Sequence, residues 1–170
     1  DANKSMLAAG KLSVENGAHI VTQQFLDSFL ILSGSGITFG LVVAMLFAAK
    51  SKQYKALGKV AAFPAIFNVN EPVVFGFPIV MNPVMFLPFI IVPILAAIIV
   101  YSSIAIGFMQ PFSGVTLPWS TPAIISGFMV GGWQGAFVQV LVLVTSTVVY
   151  FPFFKFQDNL AYNNELQAEK

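Results

Sequence analysis

From Val60 to Phe154 the chain carries one charged side chain, Glu71. Soluble domains hold roughly 25 % charged residues, whereas this chain has 9 %, with 57 % hydrophobic residues and a mean hydropathy of +0.83. Its solvent is lipid, and lipid leaves every backbone N–H and C=O to be satisfied within the protein. An ionisable group at a bilayer centre costs about 2.5–3.5 kcal/mol on insertion scales, so by default it marks a functional site. Glu71 sits in the polar, proline-containing phrase Asn68-Val69-Asn70-Glu71-Pro72.

Several function classes fall away. The formal net charge is +1 and the lysines form no basic face with interleaved aromatics, so no nucleic-acid partner is expected. The absence of cysteine excludes disulfides and thiolate ligands. His19 is the one histidine; it lies in a polar N-terminal loop and reads as solvated or structural, so no metal set is available. No GxxxxGK[ST] loop is present for a nucleotide, and no cofactor is expected. The opening Asp1-Ala2-Asn3-Lys4 has neither an initiator methionine nor a charged-then-apolar leader, so the chain is expected to be a piece of a longer protein.

The pattern predicts an all-α integral membrane protein with about three transmembrane helices and two re-entrant hairpins. Residues 1–24 read as a polar loop with room for a short helix. The apolar segment 25–49 would span about 37 Å as a helix, enough for a hydrocarbon core of about 30 Å. Lys50, Lys52, Lys55 and Lys59 follow in a loop, 50–59, that the positive-inside rule places in the cytoplasm. Residues 60–82 hold Pro64, Pro72 and Pro78 among polar residues and read as a re-entrant hairpin lining a cavity. A span over 83–106 follows. Residues 108–132, with Pro111, Pro118 and Pro122 among Gln110, Ser113, Thr116, Ser120 and Thr121, repeat the broken pattern. A last span, 133–154, leads to a charged tail, 155–170. Two hairpins keep the lysine loop and this tail on the cytoplasmic side, whereas one hairpin and one extra span would separate them. Opposed broken segments point to a transport site at mid-membrane depth.

Within this frame Asn70 and Glu71 offer donors and acceptors to a neutral, hydroxyl-rich ligand; the bland alternative has Glu71 accepting hydrogen bonds from hairpin amides. Trp119, between Pro118 and Ser120, offers an aromatic face on which a sugar ring can stack, and its bland alternative is an interfacial anchor. Asp27 reads as an interfacial or helix-start acid, with a cavity-facing role as the alternative. Gly36-Ile37-Thr38-Phe39-Gly40 fits the GxxxG pattern and implies close packing.

The run Asn68-Val69-Asn70-Glu71-Pro72-Val73-Val74-Phe75-Gly76-Phe77-Pro78-Ile79-Val80-Met81-Asn82-Pro83 resembles the NEPVxFGxPIxxNP signature of enzyme IIC of the bacterial phosphoenolpyruvate:sugar phosphotransferase system, lactose/cellobiose/diacetylchitobiose family. His19 through Phe29 and Leu117-Pro118-Trp119-Ser120-Thr121-Pro122 support the resemblance, which covers the chain but only the C-terminal part of the family's transport domain. It implies a permease that binds a β-linked disaccharide of the cellobiose, lactose or chitobiose type and presents it to a phosphorylated IIB partner, itself charged through IIA and HPr. The implied site comprises Glu71, as proton acceptor or orienter of the reacting hydroxyl, with Asn70, Asn68, Trp119 and Ser120. The resemblance also implies a multi-pass protein of the bacterial plasma membrane with its tail in the cytoplasm. A family histidine of the site, and the helices of a homodimer interface, would lie upstream. The rival reading is a secondary sugar transporter in which Glu71 carries a coupling proton.

Overall fold

A computed structural model describes residues 2–168 apart from Pro78 and Ser113, and it omits the side chains of Ala2 and Val80. Pro78 of the first broken stretch, Ser113 of the second and the last two residues of the tail thus lie outside the described residues. All regular structure among the described residues is helical. The elements are α1 (Ala2–Ala8), α2 (Gln23–Phe25, continuing as a π-helical turn over Leu26–Leu30), α3 (Phe39–Ala48), α4 (Lys52–Ile66), α5 (Glu71–Gly76), α6 (Pro83–Ala105) and α7 (Ile125–Ala168). Short 3₁₀ turns occupy Val14–Asn16 and Ile79–Met81.

Among the described residues two helices, α6 and α7, are long and apolar enough to cross a membrane. Pro83 opens α6 where its missing N–H costs nothing, and Asn82 caps it by accepting the Val84 and Met85 N–H groups at 3.1 and 3.4 Å. Met85, Pro88, Val92, Ala96, Val100 and Ile104 recur every three or four residues and form its buried stripe against α7.

The segment 25–49, expected as one span, is divided. Its helix stops at Leu30, and residues 31–38 pass through positive φ at Ser33, Gly34, Gly36 and Ile37 before α3 begins. A broken backbone in an apolar interior needs partners, and neighbouring side chains supply them. Thr38 Oγ1 donates to the Ser33 carbonyl at 3.2 Å, Asn70 Nδ2 to Ser35 at 2.7 Å, and the Tyr150 hydroxyl to Gly36 at 2.8 Å. Ser146 Oγ donates to the Ile37 carbonyl and accepts the Gly40 N–H. The glycine pair does serve close packing, though not as one helix face. A Cβ on Gly36 would overlap the Phe89 ring, and one on Gly40 the α7 backbone at Ser146 and Thr147.

The expected loop 50–59 is mostly helix. Lys52, Lys55 and Lys59 ride on α4, which is the first arm of the hairpin expected at 60–82; its tip is 67–70 and its second arm is α5. The junction of α3 with α4 is held by the far end of α7. Lys155 Nζ donates to the Ala48 carbonyl at 2.9 Å, closing α3. Asp158, fully buried, accepts the Lys50 and Ser51 N–H groups at 2.8 and 3.0 Å and the Ser51 hydroxyl at 2.8 Å. Glu165 accepts the Lys52 and Gln53 N–H groups at 2.9 and 3.0 Å. The charged tail is therefore helical to Ala168, because its acids satisfy the donors that the start of α4 leaves free.

In the stretch expected as a second hairpin, the described residues of 106–124 form no regular element and only the return arm is helical. The chain reverses at Gly131 (φ −130, ψ 17) and Gly132 (φ 63, ψ −156), the latter a conformation essentially confined to glycine. The reversal lays 124–127 against the start of the long helix. Gln139 Oε1 accepts the Gly127 N–H at 3.0 Å, and a Cβ on Gly127 would stand 2.7 Å from the Gly135 carbonyl oxygen.

Candidate functional site

The phrase 68–72 forms the tip of the α4–α5 hairpin and the first turn of α5. Asn68 is buried with φ 62, a left-handed conformation that asparagine tolerates better than most residues. Its Nδ2 donates to the Trp119 and Thr121 carbonyls at 2.7 and 2.9 Å, and its Oδ1 accepts the Ser33 N–H at 2.6 Å. Three chain segments distant in sequence thus meet on one amide. Asn70, also buried, spends one donor on Ser35, and its side chain packs on Gly34, where a Cβ would overlap it.

Glu71 is exposed and opens α5 with Pro72 behind it, the place where an acid meets the positive end of a helix. Among the described residues no hydrogen bond or ion pair ties its carboxylate. Trp119 leaves 68 % of its surface free, enough to stack against a ring, while its backbone is fixed by Asn68. Thr121 Oγ1 turns back to the Pro118 carbonyl at 2.7 Å, and Ser120 beside it is half-buried.

A cleft of about 30 Å³ lies where these segments meet, lined by Asp27, Gln24, Ser28, Asn68, Thr116, Trp119 and their neighbours. That is room for a water molecule. It shares Gln24 and Thr116 with a neighbouring cavity of about 360 Å³ walled also by His19, Thr22, Gln23 and Phe112. Glu71, Asn70 and Ser120 lie outside both. Asp27, expected as an interfacial or helix-start acid with a cavity-facing role as the alternative, is exposed in the first turn of the π-helical segment and also lines this cleft, with Gln23 Nε2 2.9 Å from each of its carboxylate oxygens. It sits in the π-helical turn, a distortion frequent at functional sites.

Among the described residues four non-glycines have positive φ: Ser33, Ile37, Asn68 and Ile124. For β-branched isoleucine this is a true outlier, and such positions cost on the order of 1–3 kcal/mol each and gather where function over-determines the backbone. All four lie on the segments that converge here. Gln139, fully buried and not singled out by sequence reasoning, braces the same region, donating to the Ser28 carbonyl at 2.6 Å and to Ser126 Oγ at 2.9 Å. No group of acidic or histidine side chains suited to a metal occurs among the described residues.

The family profile described as "Phosphotransferase system, EIIC" matches residues 1–93. The chain is 43 % identical to the lichenan permease IIC component of Bacillus subtilis (strain 168), over 99 % of its own length and 37 % of the permease. It is 42 % identical to a cellobiose-specific EIIC component of Geobacillus stearothermophilus, over 82 % of this chain and 32 % of that one. The crystal structure of the transporter ChbC, the IIC component of the N,N'-diacetylchitobiose-specific phosphotransferase system, superposes with a TM-score of 0.90 at 38 % identity, covering 97 % of this chain and 38 % of ChbC. The chain belongs to the EIIC family of the phosphotransferase system, within its lactose/cellobiose/chitobiose branch, and spans about a third of the length of its full-length relatives.

Proposed function

We propose that the full-length protein is a sugar permease of the bacterial plasma membrane that binds a β-linked disaccharide and presents its C6 hydroxyl to a phosphorylated IIB partner. The observation that carries this reading is the amide of Asn68, which ties the hairpin tip bearing Asn70 and Glu71 to the loop bearing Trp119 and Ser120. An exposed indole and a free carboxylate on adjoining segments are what a sugar needs: an apolar face to stack on and an acceptor for its hydroxyls. The cleft holds far less than a disaccharide, so the remainder of the carrier supplies the other walls.

In the transfer step the sugar oxygen attacks the phosphorus of the phosphoryl group on IIB. The bond from phosphorus to the IIB atom breaks, and the hydroxyl proton leaves to a base. Positioning and electrostatics dominate such transfers. In this reading Glu71 is the acceptor for that proton, and Trp119 holds the ring in register. Relatives of this branch act on cellobiose, lactose or diacetylchitobiose by name, and the disaccharide carried here is of that class. Replacing Glu71 with Gln in the full-length carrier tests the assignment: sugar binding should survive in reduced form while phosphorylation falls by at least about 100-fold, the usual span of general-base contributions. Phosphorylation at the wild-type rate would remove Glu71 from the chemistry.

A further inference from the structure

An asparagine amide has two donor hydrogens and one carbonyl oxygen. In Asn68 both hydrogens are committed to backbone carbonyls, Trp119 at 2.7 Å and Thr121 at 2.9 Å, and the oxygen takes the Ser33 N–H at 2.6 Å. The residue is 9 % exposed, so a sugar hydroxyl would have to displace one of these bonds to reach it. Ser33 on one side of the junction and Ile124, three residues past Thr121 on the other, both hold left-handed backbone, which persists only where partners fix it.

We infer that Asn68 is a positioning residue rather than a sugar contact: its amide sets the Trp119 loop and the broken segment 31–38 at a fixed place relative to the helix that Glu71 opens. The consequence for sugar affinity rests on the reading of Trp119 as the stacking residue, whereas the clamp itself does not. The choice of asparagine follows from the partners. Aspartate would tolerate the backbone and still accept the Ser33 N–H, but it would place a carboxylate oxygen against two carbonyls. Glycine would keep the backbone and remove all three bonds without repulsion.

The test uses the full-length carrier labelled with 5-fluorotryptophan, the residue-119 fluorine resonance being assigned with Trp119→Phe. In the absence of sugar, Asn68→Asp should shift or split that resonance while the protein stays monodisperse. Its sugar affinity should fall about tenfold, as the loss of a buried hydrogen bond implies. Combined with Trp119→Phe, it should cost little more than Trp119→Phe alone. Asn68→Gly should move the resonance in the same way and serves where the aspartate variant does not fold. An unmoved resonance in both variants, or an affinity loss that adds in full to that of Trp119→Phe, would overturn the clamp. If the resonance moves but Trp119→Phe leaves affinity at wild type, the clamp stands and the stacking role of Trp119 fails.

Discussion

Glu71, Asn68 and Gln139 are polar side chains in an apolar chain, and their surroundings set them apart. Asn68 and Gln139 are buried with their amides engaged by backbone, so they hold shape. Glu71 is exposed and untied among the described residues, as its proposed role toward the sugar requires. Trp119→Ala should weaken disaccharide binding in the full-length carrier by at least about tenfold, since aromatic contacts contribute roughly 0.5–1.5 kcal/mol beyond the area they bury; titration calorimetry reads this directly. Gly132→Ala should lower thermal stability in detergent by about 1–3 kcal/mol or abolish folded yield, because its φ and ψ exclude a Cβ. Glu71 stands out in the sequence as a lone charge in a long apolar run, and the structure places it exposed at the start of α5 rather than bonded to hairpin amides. Asp27 was less legible, since only the fold places it beside Trp119, and Gln139 gave no signal among so many neutral residues.

At the scale of elements, the last turns of α7 clamp the junction of α3 and α4. Asp158 reaches Ser51, whose hydroxyl in turn accepts the Tyr54 N–H at 3.3 Å, so one buried carboxylate organises the first turn of α4. Asp158→Ala should cost at least about 2 kcal/mol in unfolding experiments, from the lost cap and the donors left buried without a partner. The N–H groups of Lys52 and Gln53 hold the Glu165 carboxyl below its ordinary value of 4.5. A carboxyl lowered by folding stabilises fully above its unfolded pKa and loses that contribution as pH falls through the folded one. The melting temperature of wild type should therefore exceed that of Glu165→Gln at neutral pH, and the gap should close under acid conditions below 4.5; a gap independent of pH would contradict it. The apolar runs of α6 and α7 were readable from composition, with α6 ending at Ala105 where a span over 83–106 was expected. The break at 31–38 was not, because its glycines are also compatible with a packed helix. What opens the chain there is the supply of side-chain donors from Asn70, Ser146 and Tyr150, residues remote in sequence. The helical course of the charged tail was not readable for the same reason: the helix start that its acids cap lies more than a hundred residues earlier.

At the scale of the whole molecule, two long apolar helices among the described residues support a set of broken segments whose tips meet at Asn68, and the overall fold is that of ChbC at a TM-score of 0.90. The segment spans about a third of a full-length carrier, so the complete protein is the object to measure. The full-length permease should be reconstituted in vesicles, with phosphorylated IIB on the cytoplasmic face and a radiolabelled β-disaccharide on the other. The sugar should appear inside as its phosphate, only when phosphorylated IIB is present, and at a rate unaffected by collapsing the proton gradient. Free sugar accumulating without IIB, and lost when the gradient is collapsed, would contradict it and make Glu71 a proton-coupling acid instead.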